Sequence, residues 1–283
     1  MGQLRVEPGD GPFGATVVGV DLGSPIDPDR AAELRAAWLR HQVLVFPGQD
    51  LTFEQLEAAA RAFGPIGEDP YFRAIPGQPH VVALTREADE TAPLFADVWH
   101  SDWSFLASPP AGTMLHAVEV PPVGGDTLFA DQYGAWASLP ADLRERVDGR
   151  LGIHSARRGY ARSGLYGDRD VGRSMAIVAS DDALATQLHP LVRIHPETGR
   201  PALFCSLAYT IGVDGMDEDE GNALLGELFA HLAHPEHVLR HRWEPGMVVL
   251  WDNRCLLHAA TGGYEGHRRE LHRLTIAERA PAE

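Results

Sequence analysis

Apolar positions recur at two spacings along the chain. Behind Asp27-Pro28, the residues Ala31, Leu34, Ala37 and Trp38 fall three or four apart, and an N-cap followed by Pro at the first helical position predicts a helix there. Thr52 with Gln55 makes a capping box opening a second helix through Leu56, Ala59, Ala60 and Phe63, stopped by Gly64-Pro65. Helical spacing returns from Leu139-Pro140 to Val147, and again behind Asp217 and Glu220 through Leu224, Leu225, Leu228 and Leu232. The remaining apolar runs have strand length: 42–46, 81–84, 113–120, 151–154 and 269–276. Runs 191–195 and 202–205 flank a five-residue loop, and runs 238–243 and 247–252 flank Pro245-Gly246, so both pairs read as hairpins. Trp103-Ser104-Phe105 reads as the continuation of a strand through His100. Many short strands broken by Pro and Gly, with few helices, predict a mainly β jelly-roll of two facing sheets, as one domain over 1–283.

One stretch escapes both periods. Residues 157–188 are rich in Gly, Arg and Asp and lack a pattern; a loop of that length in a compact domain is expected to be a lid. His231, His234, His237 and His241 cluster near the end of the last helix. No Cys accompanies them and Pro235 interrupts their spacing, so they read as surface histidines.

Candidate chemistry begins at Trp99-His100-Ser101-Asp102. On a strand, His100 and Asp102 project from the same face. His258, beyond the apolar run into Asp252-Asn253-Arg254, is the best source of a third ligand. Two His and a carboxylate on one triangular face leave the opposite positions open, which suits non-haem Fe(II) and oxygen. Alone, a His-x-Asp is a weak signal in a chain with 14 His. The strand beginning at Arg269 adds to it. Arg269, Leu271, Arg273 and Thr275 share one face, and an inward guanidinium needs an anion that Glu270, on the other face, does not supply. Arg is suited to gripping a carboxylate with two parallel hydrogen bonds.

The order His100-x-Asp102, Gly124-Gly125-Asp126-Thr127, Trp251-Asp252-Asn253-Arg254 with His258, then Arg269 and Arg273 resembles the taurine dioxygenase (TauD/TfdA) family, from Gly14-Ala15 to Ile276. The resemblance implies a double-stranded β-helix and a dioxygenase using Fe(II), O₂ and 2-oxoglutarate, with release of succinate and CO₂. It implies His100, Asp102 and His258 as metal ligands, Thr127 and Arg269 on the distal carboxylate of 2-oxoglutarate, and Arg273 at the substrate's anionic group. It places Asp69, Phe72, Trp103 and Tyr160 around the substrate. Taurine-specific members carry a His, a Tyr and an Asn where this chain has Asp69, Phe72 and Ala96, so a bulkier organic acid, an aryloxyalkanoate or alkyl sulfate, is expected. Asp69 either receives a substrate amine or faces solvent. Two other readings of the same ligands stay open: a zinc hydrolase and a non-catalytic jelly-roll binding module.

Composition narrows the partners. With 24 basic against 40 acidic residues the formal net charge is −16, which argues against nucleic acid and anionic membranes. Two cysteines fit a reducing compartment, and no apolar leader or 18-residue apolar run is present. A cytoplasmic enzyme acting on a small anionic substrate is expected, homo-oligomeric by analogy with the family.

Overall fold

The computed structural model describes residues 3–279, so the first two and last four positions of the domain expected over 1–283 lie outside the described residues. The largest sheet has seven strands in the order Arg5–Pro8, Ala15–Val18, Val43–Phe46, Val248–Asp252, Gly112–Glu119, Arg269–Ile276, Val82–Arg86. Only the pairing of Ala15–Val18 with Val43–Phe46 is parallel. A three-stranded sheet, Val238–His241, Thr127–Asp131 and Leu256–Ala260, faces it across a shared core. Phe129 and Leu256 from the small sheet meet Leu115, Val249, Trp251 and Leu271 from the large one. The expected two-sheet, mainly β architecture is present.

Alternation decides which side chains enter that core. Along Val248–Asp252, Val248 and Leu250 turn toward the helices Pro28–His41 and Phe53–Phe63, while Val249 and Trp251 turn inward, as the two-residue period requires. Both helices begin where the caps predict. Asp27 accepts from the Arg30 amide at 2.9 Å, and Thr52 and Gln55 bond reciprocally. These contacts satisfy amides that have no partner inside a helix. Helix Glu218–Leu232 covers the outer face of the small sheet, with Leu224 and Leu228 in the same buried cluster as Leu257.

Three expectations are corrected, and one patternless stretch proves to be structured. The run 238–243 and the strand after it do not form a hairpin. Val238–His241 pairs with Thr127–Asp131, whereas Val248–Asp252 lies between Val43–Phe46 and Gly112–Glu119. All five residues of Val248–Asp252 are buried, so its backbone needs a partner on each side, and Pro245-Gly246 is where the chain changes sheet. Trp103-Ser104-Phe105 is a turn, with Trp103 at φ 48°; the bend drops the indole among Phe72, Tyr71 and Tyr160. Of the four clustered histidines only His234 is exposed, because Ser138 and the Ala135 carbonyl engage His231, and Ser138 also engages the buried His237. Finally, 157–188 has structure of its own. It holds the short helix Arg157–Tyr160 and the 3-10 turn Asp181–Leu184. It also bonds back to 71–73, through Val178 N to Tyr71 O (2.9 Å) and Arg73 N to Ala176 O (3.0 Å).

Candidate active site

His100 and His258 are brought together by a two-residue bridge between their backbones, His100 N to His258 O at 3.0 Å and the reverse at 2.7 Å. The bridge sets the two imidazoles 4.1 Å apart, centre to centre. Nε2 of each ring lies 3.7 Å from Asp102 Oδ1, and the three ligand atoms fall within 4.8 Å of one another. The Val98 carbonyl, 2.8 Å from His100 Nδ1, accepts that nitrogen's proton and leaves Nε2 as a lone-pair donor toward the site. Burial pushes both imidazoles below their ordinary pKa and keeps them neutral. Burial alone would raise the Asp102 carboxyl, but the Arg273 guanidinium and the hydrogen bond from Thr113 hold it well below the usual carboxylate range. Two neutral nitrogens and one ionised oxygen, converging within 4.8 Å of one another, form a donor set that fits a divalent metal.

A chain of hydrogen bonds aims the carboxylate. Thr113 donates to Asp102 Oδ2 at 2.5 Å, Asn253 Nδ2 donates to Thr113 at 2.9 Å, and the Trp251 indole donates to Asn253 at 2.9 Å. The Trp251–Asn253 stretch thus acts on the site twice, because the Trp251 ring also lies 4.7 Å from that of His258.

Thr127, Arg269, Arg273, His100 and His258 line one cavity. Arg269 projects inward as its strand alternation predicts, and it meets no carboxylate among the described residues. Nη2 donates to the Gly125 carbonyl at 3.2 Å, the Trp243 and Tyr264 rings each lie 6.0 Å away, and Nε is buried without a partner. Burial lowers its pKa, the mark of a cation lacking its anion. Thr127 accepts from the Trp243 indole at 3.0 Å, which leaves its own hydroxyl proton to donate into the cavity. Gly124 and Gly125 sit at φ 68° and 70°. A Cβ on Gly124 would lie 2.5 Å from the Gly263 carbonyl oxygen, so the turn that presents Gly125 to Arg269 requires glycine there.

Arg273 differs from Arg269. Its Nε lies 3.1 Å from Asp69 Oδ1 and its Nη2 3.1 Å from Asp102 Oδ1. Phe72 and Trp103 sit over the guanidinium at 5.5 and 4.9 Å. Glu270 supplies neither anion, as its face predicts; both carboxylates come from other segments, and Arg273 Nε and Nη2 still lack hydrogen-bond partners. Asp69 neither faces solvent nor stands open to a substrate amine. Its side chain is 7% exposed and also accepts from the Trp103 indole at 2.9 Å. Tyr160 is buried and stacks on Tyr71 at 4.7 Å.

A family model described as taurine catabolism dioxygenase TauD, TfdA family matches residues 5–275. The chain belongs to the TauD/TfdA family. It is 35% identical over 258 residues to the (S)-phenoxypropionate/alpha-ketoglutarate-dioxygenase of Sphingobium herbicidovorans, covering 90% of this chain and 88% of that protein. It is 31% identical over 283 residues to an alpha-ketoglutarate-dependent sulfate ester dioxygenase of Pseudomonas putida, covering 99% and 91%. A taurine dioxygenase structure from Burkholderia xenovorans superposes with a TM-score of 0.80 at 32% identity, over 98% of this chain and 92% of that one. This TauD/TfdA chain is thus a 2-oxoglutarate-dependent dioxygenase rather than a zinc hydrolase or a binding module.

Within the TauD/TfdA frame, several side chains at the site left no mark in the sequence. Thr113 lies in a strand read only as apolar. Tyr209, whose ring meets His100 edge-on at 6.0 Å, follows no motif. Trp243 and Tyr264 flank Arg269 from separate loops. No spacing signal links residues that meet only through the fold.

Proposed function

We propose that the chain uses Fe(II) and 2-oxoglutarate to oxidise a small organic acid with an aromatic or alkyl body, as one domain in which 157–188 is the lid. His100, Asp102 and His258 hold the metal on one face and leave the opposite positions open. Bound iron would let O₂ oxidise both 2-oxoglutarate and the substrate, one oxygen atom going to the substrate and the other into succinate, with CO₂ released. Arg269 grips the distal carboxylate of 2-oxoglutarate through its planar fork while Thr127 donates its hydroxyl. Tyr160, Phe72 and Trp103 exclude water on the substrate side. The observation that carries the reading is Arg269, a cation whose Nε is buried without a partner on the wall that also carries His100 and His258.

The names of the phenoxypropionate and sulfate ester relatives support a bulky organic acid, and Asp69, Phe72 and Ala96 in place of the expected His, Tyr and Asn weigh against taurine. Buried, unpaired Cys205 and Cys255 support a reducing, cytoplasmic setting. Among the described residues no helix is long and apolar enough to cross a membrane. Homo-oligomer formation rests on family analogy, and sedimentation velocity checks it. Anaerobic addition of Fe(II) and 2-oxoglutarate is expected to give a weak visible charge-transfer band. No band, together with unchanged metal affinity in Asp102→Ala, would overturn the enzyme assignment. Substrate-dependent succinate release across aryloxyalkanoates, alkyl sulfates and taurine tests the substrate class, which fails if taurine is best.

A further inference from the structure

Two inner cavities meet at Ala96. Phe95, Ala96 and the proposed metal ligand His100 line both the cavity that holds Arg269 and Arg273 and a second one beside it. Ala96 sits at φ 59°, a left-handed conformation that glycine or asparagine adopts more readily than alanine. Two hydrogen bonds hold it there. Its N–H donates to Tyr166 Oη at 3.2 Å, and its carbonyl accepts from the Ala260 amide, two residues past His258, at 2.8 Å. Strain fixed from both sides on the wall of a site points to a role in that site. The side chain this backbone brings to the junction is a single methyl group.

Beyond the junction the second cavity is apolar. Tyr160, Tyr166 and Tyr209 form much of its wall, and Arg158 is its one charged lining residue apart from His100. Its mouth is apolar as well, because Val98, Leu165 and Leu207 all line it and are all exposed. Exposed apolar side chains are ordinary when scattered. Three around one opening that leads to the His100 side of the site favour an apolar occupant.

We infer that Ala96 is a specificity-determining residue, and that the substrate is an organic acid with an extended apolar tail. The charged head stays with Arg273, whose Nε and Nη2 lack hydrogen-bond partners, and the reacting carbon lies beside His100. The tail passes the Ala96 methyl, runs between the tyrosines and emerges between Val98, Leu165 and Leu207. A longer side chain at position 96 narrows this passage. Because the mouth opens to solvent, the tail has no fixed upper length.

The inference rests on the dioxygenase reading, and the test separates the two. Succinate release by the full-length iron enzyme is measured over n-alkyl sulfates from butyl to decyl and over para-n-alkylphenoxyacetates from methyl to hexyl. In the class that turns over, KM is expected to fall roughly three- to fourfold for each methylene that enters the second cavity. It should level off once the tail reaches the mouth. Ala96→Asn, which suits the left-handed backbone, should raise KM for the longest member at least tenfold. The shortest member should change less than threefold, and the anaerobic Kd for 2-oxoglutarate less than twofold. Leu207→Asp, on the exposed rim, should likewise raise KM for the longest member and spare the shortest. A KM that is flat or rises with length, or variants that affect long and short members alike, overturns the inference while the 2-oxoglutarate band survives. So does a wild-type enzyme that shows the band but turns over no member of either series. Absence of the band in the wild type overturns the dioxygenase reading itself, and this inference with it.

Discussion

At the scale of single residues, what separates the two inward arginines is where their anions come from. Arg269 has none from the protein, so Arg269→Lys, which keeps the charge but loses the fork, is expected to weaken 2-oxoglutarate binding by about 1–3 kcal/mol. Titration of the anaerobic band measures it, and an unchanged Kd in a folded variant rules the assignment out. Thr113 acts on Asp102, one of the proposed metal ligands. Thr113→Val keeps the shape but frees Asp102 Oδ2 from its 2.5 Å hydrogen bond. Metal affinity is expected to fall roughly 10- to 100-fold, the scale of lost outer-shell support, as read by competition with a chelating dye. Equal affinity would mean that Arg273 alone suffices to orient the carboxylate. The inward face of Arg269 was legible because a strand period is a sequence property. The Asp69–Arg273 contact was not, because its members lie on segments joined only by folding.

At the scale of elements, the strand Arg269–Ile276 shows how one alternation serves two purposes. Leu274 and Ile276 pack under the helices, while Arg269, Leu271 and Arg273 point inward. The segment 157–188 is held differently, by charge. Glu90, whose side chain is 1% exposed, accepts from Arg86 Nη1 at 3.1 Å and from the Ser174 amide at 2.9 Å, and it lies 3.9 Å from Arg173. Removing one partner of a buried ion pair leaves the others uncompensated. Glu90→Gln is therefore expected to speed amide exchange across 157–180 several-fold and to quicken trypsin cleavage at Arg169 and Arg173, with the sheets still protected. Exchange mass spectrometry reads this, and unchanged protection would show that aromatic packing alone holds the segment. Length and composition marked this stretch as distinct, but the anchoring Glu90 sits outside it and carries no signal.

At the scale of the whole molecule, every one of the 24 basic residues is arginine, so the basic side chains do not titrate in the physiological range. The histidines do. Burial, with His189 and Arg193 adding, pushes His154 down to about 3, and burial pushes His241 down to about 4 against the pull of Asp126. Unfolded, each imidazole takes its proton near pH 6.5. Between that value and the folded one, the unfolded chain binds more protons, so stability falls as pH drops below about 6.5, by up to ~1.4 kcal/mol per pH unit for each group. Urea midpoints of the metal-free protein from pH 7.5 to 4.5 should show the decline, and His154→Gln should flatten it. An identical slope in the variant would assign the acid sensitivity elsewhere.

The sequence by itself determined the strand and helix periods, the caps, and the order and spacing of His100, Asp102, Thr127, His258 and Arg269. Local backbone geometry and side-chain alternation are set within a few residues, and a linear motif survives whatever the chain does between its parts. Only the tertiary structure decided that 238–243 and Val248–Asp252 belong to different sheets and that Trp103 turns out of line. It also decided that Asp69 and Asp102 stand beside Arg273. Each of those outcomes depends on which buried strand edges and charges find partners, and those partners come from parts of the chain that nothing local specifies.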